Sequence, residues 1–392
     1  MNSITQKIDG YWRQVLYEWH HWHNSVTARK REKNFNLWLR ELSDNPPDVF
    51  IGGLGAWGGV RHHLLAIKKY SALQVELVPN ESLLQKISAN HLEHDFNNQL
   101  LELALRKVKA VHSNVYPWFI EWYHECQSKG ILWIHTYHNH YYPEFGKDGI
   151  LEAWQVAFNK AFLQVAPSAD VKLSVSKWQR EELLREHGIA TEYLPNGVDV
   201  VACDEAKAER FIRKIGIKDF VLYVGRNDPV KNPVEFVMLA KQLPEHQFVM
   251  VGGGLSSDSL RNEWQVDIPS NLLVVGALSH WEALDAIAAC SVLVVTSKRE
   301  GLPTLVMEGM AHRKAVVVPN EAGCLEVVNH GEFGHVYQLG YVADLADKTL
   351  QALADTELGE RARQRIRSEY DWRVIAPKLD AIYQGTSFAP LS

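Results

Sequence analysis

The stretch Val292-Leu293-Val294-Val295-Thr296-Ser297-Lys298-Arg299-Glu300-Gly301-Leu302-Pro303-Thr304-Leu305-Val306-Met307-Glu308 divides into three pieces. Its first four residues are apolar and mostly β-branched, as a buried strand requires. A polar loop follows and holds Glu300. Pro303 then reads as the first helical position, where a missing N–H costs nothing, and Glu308 lies about one turn further along that helix. Strand, loop and helix in this order form one β-α unit of a parallel sheet. The free amides of the first turn would face out of the sheet at its carboxyl edge, where they attract anions. One acid thus stands on each side of a phosphate-sized site.

The same rhythm runs outward in both directions. Short apolar runs at Val49–Ile51, Leu73–Val78, Ala110–Val111, Ile131–Ile134 and Val171–Val175 alternate with helical stretches. The alternation pauses at Pro195-Asn196-Gly197-Val198-Asp199 and at a charged helical stretch from Asp204 to Lys218. It restarts at Phe220–Val224 and continues through Phe248–Val251, Leu272–Val275, Val292–Val295 and Ala315–Val318. The fold class is therefore α/β, in two successive halves joined near residue 200. A length of 392 residues also favours two domains over one core. Residues 1–45 read as a helical extension, with Phe35, Trp38, Leu39 and Leu42 on one face. Residues 25–42 are basic, which suits docking on the chain's own domain or peripheral contact with an anionic membrane.

Composition narrows the function classes. A net charge of -6 implies no broad cationic surface and argues against a nucleic-acid partner. Four well-separated cysteines suit reduced thiols rather than disulfides or zinc. Met1 to Lys7 lacks the apolar stretch of a signal peptide, and no apolar run approaches the ~20 residues of a membrane span. A cytoplasmic protein is expected. Of the 13 tryptophans, nine precede residue 160; core packing is their ordinary use, and stacking on sugars or membrane interfaces the others.

Two further segments carry chemistry. Gly52-Gly53-Leu54-Gly55-Ala56-Trp57-Gly58-Gly59 follows a strand and contains G-x-G-x-x-G, with Glu76 about 20 residues on. That is the dinucleotide pattern, and it raises an NAD-dependent oxidoreductase as an alternative. Gly225-Arg226-Asn227-Asp228-Pro229-Val230-Lys231 follows another strand, and its Arg and Lys can converge on one diphosphate. Together with the helix amides after Pro303, these cations place a diphosphate between Glu300 and Glu308. The two acids could then accept hydrogen bonds from sugar hydroxyls on one side and ribose hydroxyls on the other.

These motifs, in their order and spacing, resemble the retaining glycosyltransferases of family 4. Leu194-Pro195-Asn196-Gly197-Val198-Asp199, Val224-Gly225-Arg226 with Lys231, and Val251-Gly252-Gly253-Gly254 match. So do Asn271 to Gly276, the E-x7-E segment, and Gly323 with Glu326-Val327-Val328. The resemblance covers residues 48 to 383 and is densest from 171 to 335. It implies the GT-B fold, two facing Rossmann-like domains with a cleft between them. The expected parts are residues 46–200, completed by a crossing helix at about 372–392, and a donor domain at 201–371.

The resemblance also assigns roles. Arg226 and Lys231 would hold the diphosphate, Glu308 the ribose, and Glu300 the transferred sugar. The free amides of Leu302, Thr304 and Leu305, beside Gly301 and Pro303, would seat the distal phosphate. Gly58 and Gly59 would approach the donor phosphates and the acceptor, and His138 would lie near the sugar's O6. The base would rest near Leu278. A nucleotide-sugar, with UDP the expected carrier, would be the co-substrate, and a glycan or lipid-linked glycan the acceptor. That reaction would sit in polysaccharide biosynthesis, in the cytoplasm or at the inner face of the plasma membrane. No cofactor and no metal is expected: there is no D-x-D, and His135, His138 and His140 do not share a face. Where the family has a small residue, glycine and proline after Met310-Ala311, this chain has His312-Arg313-Lys314-Ala315. A sugar-nucleotide-binding protein without catalysis, and an epimerase or phosphorylase on the same fold, are the remaining alternatives.

Overall fold

The computed structural model describes residues 33, 36–38, 40–52, 59–78, 108–115, 117–145 and 149–385. The first six strands are β1 (Val49–Gly52), β2 (Val75–Val78), β3 (Ala110–Ser113), β4 (Leu132–Tyr137), β5 (Val171–Ser174) and β6 (Glu192–Tyr193). They form one parallel sheet in the order β2-β1-β3-β4-β5-β6. Around it lie α1 (Gly59–Tyr70), α2 (Pro117–Ser128), α3 (Ala153–Lys160) and α4 (Lys177–His187).

The second half repeats the plan. Two short helices, α5 (Val200–Glu205) and α6 (Ala208–Ile215), lead into β7 (Phe220–Val224). Then follow α7 (Pro233–Gln242), β8 (Gln247–Val251), α8 (Ser257–Trp264), β9 (Leu272–Gly276) and α9 (His280–Ala289). The sheet is completed through β10 (Val292–Val294), α10 (Thr304–Ala311), β11 (Ala315–Pro319), α11 (Ala322–Val327) and β12 (His335–Tyr337). Its order is β12-β11-β10-β7-β8-β9, again all parallel. The chain ends through α12 (Val342–Ala354), α13 (Leu358–Arg365) and α14 (Trp372–Tyr383).

The inner strands are continuous apolar runs because helices cover both faces of each sheet. Leu222, Val249, Leu293 and Val316 point into one core of the second sheet, and Val221, Phe248, Val292 and Val317 into the other. The last helix returns to the first domain: Trp372, Ile375, Leu379 and Tyr383 pack with Val49, Leu64 and Ile67. Val198 and Asp371 pair side by side where the chain crosses between domains.

Each sheet reverses its direction of growth once, between β1 and β3 and between β7 and β10. Loops at the carboxyl ends of strands flanking such a reversal diverge and leave a crevice for ligand. In this chain those loops carry the glycine stretch after β1, Asn114 after β3, Arg226 to Lys231 after β7, and Ser297 to Pro303 after β10.

Several local readings need correction. The charged stretch from Asp204 to Lys218 is two helices, not one, with Ala206 and Lys207 extended between them. Asp285 causes the break: its carboxylate accepts the Lys207 amide at 2.6 Å and pairs with Arg210. Pro303 is the residue before α10 (φ -72, ψ 104) rather than its first helical residue. The edge strands β6 and β12, two and three residues long, were not foreseen because Glu192 and His335 break their apolar pattern. Among the described residues of the N-terminal segment, 36–38 and 40–44 are helical. Trp38 and Leu42 are buried in the core of the first domain, and Trp38 Nε1 donates to Glu76 at 2.8 Å. Phe35 and Leu39, like residues 1–32, lie outside the described residues. All four cysteines are buried free thiols, and no described helix is long and apolar enough to cross a membrane.

Candidate functional site

The facing carboxyl edges bring two helix N-termini together. Gly59, the first residue of α1, sits so that a Cβ on it would be 3.8 Å from Thr304 Oγ1, at the first residue of α10. No side chain caps α10, so the amides of Thr304 and Leu305 remain without an intrahelical acceptor. Two helix N-termini this close can form an anion site of the kind phosphates occupy. Gly58 lies outside the described residues, as do Gly53 and Gly55 of the glycine pattern.

Lys231 and Glu300 meet on one side of this space. Lys231 Nζ donates to Glu300 Oε1 at 2.6 Å, with the side chains 29% and 14% exposed. The Lys231 carbonyl is held by Tyr223 Oη at 3.2 Å and Thr296 Oγ1 at 3.0 Å, so the cation's backbone is tied to both β7 and the end of β10. Arg226 is nearer solvent, and its guanidinium pairs with Asp228 at 3.1 Å. It is a cation on a short tether rather than a packed one.

Glu308 lies on the other side, one turn along α10. Burial pushes its carboxyl up to about 8, so at neutral pH it is mostly protonated. Its Oε1 is 3.7 Å from His280 Nε2, at the start of α9. The His280 ring stacks on His62 of α1, with centroids 3.9 Å apart. Glu308 is therefore linked across the cleft to the first domain. Leu278, in the loop between β9 and α9, is half-buried against the core.

His138 closes the site from the first domain. Asn114 Nδ2 donates to the Gly52 carbonyl at 3.3 Å, which turns Asn114 Oδ1 toward His138 Nε2 at 2.9 Å. Nε2 therefore carries the proton and Nδ1 keeps its lone pair. Burial holds the ring's pKa down at about 3, and the imidazole is neutral. His135 bonds Ser113 and His140 packs against Tyr142, so the three histidines do not converge. Among the described residues no group of three or more His, Cys, Asp or Glu is arranged to hold a metal.

The loop from Glu300 to Leu302 is clasped from two sides. A Cβ at Gly301 would stand 2.5 Å from the His138 carbonyl, and one at Gly323 2.5 Å from the Glu300 carbonyl. Neither position has room for a side chain. Trp178 Nε1 donates to the Gly301 carbonyl at 2.7 Å, and Asn196 Nδ2 to the Leu302 carbonyl at 3.2 Å. The structure thus brings together Gly59, Lys231, Glu300 to Leu305, Glu308 and His138. Arg226 stands at the rim of this group, and Leu278 lies on the Glu308 side.

Sequence reasoning missed His62, His280, Trp178 and Glu321. Glu321, at the start of α11, is mostly buried beside Glu300, and burial pushes it up to about 7. None of the four falls inside a short motif; each lies at or within the first turn of a helix that follows a strand. Glu76, the acid of the dinucleotide pattern, is already engaged by Trp38 Nε1 and by Lys68 Nζ, each at 2.8 Å.

Two family models match this chain. Residues 204–369 match the family model Glycosyl transferases group 1, and residues 59–202 match Glycosyltransferase Family 4. The uncharacterized glycosyltransferase MJ1178 of Methanocaldococcus jannaschii is 24% identical over 249 residues, which is 62% of this chain and 67% of that protein. The N,N'-diacetylbacillosaminyl-diphospho-undecaprenol alpha-1,3-N-acetylgalactosaminyltransferase of Campylobacter jejuni is 27% identical over 190 residues, 46% of this chain and 49% of that one. The matches thus span about half to two thirds of these curated relatives. Among solved structures, Anabaena HepE in complex with UDP-glucose superposes with a TM-score of 0.68 at 17% identity, covering 86% of this chain and 99% of that one. The fold is that of the GT-B enzymes, and nothing in these comparisons supports an oxidoreductase.

Proposed function

The chain belongs to the family 4 glycosyltransferases, and from that premise we propose that it moves a sugar from a nucleoside diphosphate to a hydroxyl acceptor with retention of configuration. The observation that carries this reading is the meeting of α1 and α10 N-termini beside the Lys231–Glu300 pair. Such a site is built for a diphosphate with a hydroxyl-rich group attached.

In this scheme the diphosphate lies between the two helix ends, with Lys231 and Arg226 on its oxygens. Glu308 receives the ribose, the base rests near Leu278, and Glu300 meets the sugar. Breaking the anomeric C–O bond leaves negative charge on the departing phosphate, which the two cations and the amides of Thr304 and Leu305 meet. Fixed groups aimed at such charge supply the largest catalytic contribution, about 3 kcal/mol each. The acceptor oxygen bonds to the anomeric carbon from the leaving-group side, and its proton passes to the departing phosphate oxygen. Neutral His138 would offer its Nδ1 lone pair to a sugar hydroxyl. Closure of the two domains over the donor limits hydrolysis. No step in this scheme calls on a metal.

UDP is the carrier we favour, since HepE is a structural neighbour that binds UDP-glucose. The Campylobacter relative is named for a diphospho-undecaprenol-linked saccharide, and a lipid-linked glycan acceptor at the cytoplasmic face of a membrane is the reading we carry to this chain. A thermal-shift series with UDP-, GDP- and ADP-sugars tests the proposal. Stabilisation by one nucleotide class is expected, and a flat response to all three would refute it.

A further inference from the structure

Arg299 immediately precedes Glu300, yet its side chain reaches into the other domain. Its guanidinium lies over the Tyr142 ring at 3.9 Å and the Trp178 ring at 4.8 Å. Nη2 donates to the Tyr142 hydroxyl and to Glu182 Oε1. Tyr142 in turn donates to Glu182 Oε2 at 2.9 Å, which closes the set. The Arg299 side chain is 20% exposed and that of Glu182 14%. Only a planar guanidinium can stack between two rings and donate in its own plane at once; an ammonium cannot.

The residues on the far side of Glu300 are also held by the first domain, through the bonds from Trp178 to Gly301 and Asn196 to Leu302. Trp178 is itself fixed from the second domain. Glu326 accepts the amides of Lys177 at 2.9 Å and Trp178 at 3.0 Å, at the start of α4. Glu300 thus sits between two anchored points, while its own carboxylate is turned to Lys231.

We propose that Arg299 is a positioning residue, gripped by the Tyr142–Trp178–Glu182 box of the first domain so that Glu300 faces the donor sugar in its reacting orientation. The inference rests on the glycosyltransferase reading. Arg299 touches neither the diphosphate cations nor Glu308, so it governs the sugar end of the donor and not the nucleotide end. Removing it should therefore separate turnover from nucleotide binding.

The test compares wild type with Arg299→Ala, Arg299→Lys and Tyr142→Phe. The probes are UDP with UDP-glucose, GDP with GDP-mannose, and ADP with ADP-glucose, the pair that stabilises the wild type being used. Calorimetric titration reads affinity for the nucleoside diphosphate. Release of that diphosphate from the sugar form, in the absence of acceptor, reads kcat and KM. Both Arg299 variants should bind the diphosphate within about twofold of wild type, while kcat falls on the order of 100-fold. Tyr142→Phe keeps the stack and should fall less. If Arg299→Ala fails to fold, Arg299→Lys and Tyr142→Phe decide the matter. Wild-type turnover in Arg299→Lys, or equal losses in diphosphate affinity and kcat, would overturn the positioning role alone. A wild type that binds none of the three diphosphates would overturn the glycosyltransferase reading and this inference with it.

Discussion

Glutamine in place of Glu308 should stabilise the empty protein at alkaline pH while weakening its hold on a nucleoside diphosphate. Burial on α10 raises the Glu308 carboxyl to about 8 from an ordinary value of 4.5. Between those two values the folded protein keeps a proton that the unfolded chain has released. Stability therefore falls as pH rises through this window and levels off above it. Each pH unit is worth about 1.4 kcal/mol at most. Its side chain is 16% exposed with the His280 ring beside it, and water at that rim reduces the full effect to roughly 2 kcal/mol at pH 8. For domains of this size that is a shift of about 4–8 °C in Tm. Calorimetric melting of wild type and Glu308→Gln from pH 5 to pH 9, without nucleotide, measures it. The two curves should converge near pH 5 and separate by pH 8, with the variant higher. Diphosphate affinity should fall in the variant above pH 8, where an ionised Glu308 presents two acceptor oxygens and the amide one. Parallel curves across the range would show a Glu308 already ionised at neutral pH and refute the reasoning.

Lys231→Ala leaves Glu300, 14% exposed, without its cation; stability should drop by about 1–3 kcal/mol and transfer on the order of 100-fold, read by denaturant unfolding and initial rates. Glu326→Ala removes the acceptor for two amides at the start of α4. It should cost about 1 kcal/mol, with faster hydrogen exchange at Lys177 and Trp178 as the specific readout.

The donor half of the site was legible because its residues lie close in sequence to strand ends. Alternation of apolar runs was enough for ten of the strands. That β7 and β10 are neighbours, which brings Lys231 and Glu300 together at the carboxyl edge, is set by the strand order, which alternation does not carry. Periodicity says nothing, however, about contacts between sheets. Arg299 and Tyr142 are 157 residues apart, and each reads locally as a solvated surface residue. The His62–His280 stack is invisible for the same reason. The break at Ala206 escaped because its cause, Asp285, sits on a helix far along the chain. Pro303 was misread by one position, since proline suits both the residue before a helix and its first turn.

The return of α14 to the first domain has a consequence for how the protein is made. Val49, Leu64 and Ile67 share a core with Trp372, Leu379 and Tyr383, so the domain that begins synthesis first lacks part of its interior until Tyr383 has emerged. The second domain, whose strands all lie between Phe220 and Tyr337, has its sheet in hand earlier. During synthesis the later domain would therefore fold first while the earlier one waits, its apolar faces open. A released chain truncated after residue 371, which keeps Ala362, Ile366 and Tyr370 in the second domain's core, should have a protease-sensitive first domain and a resistant second one.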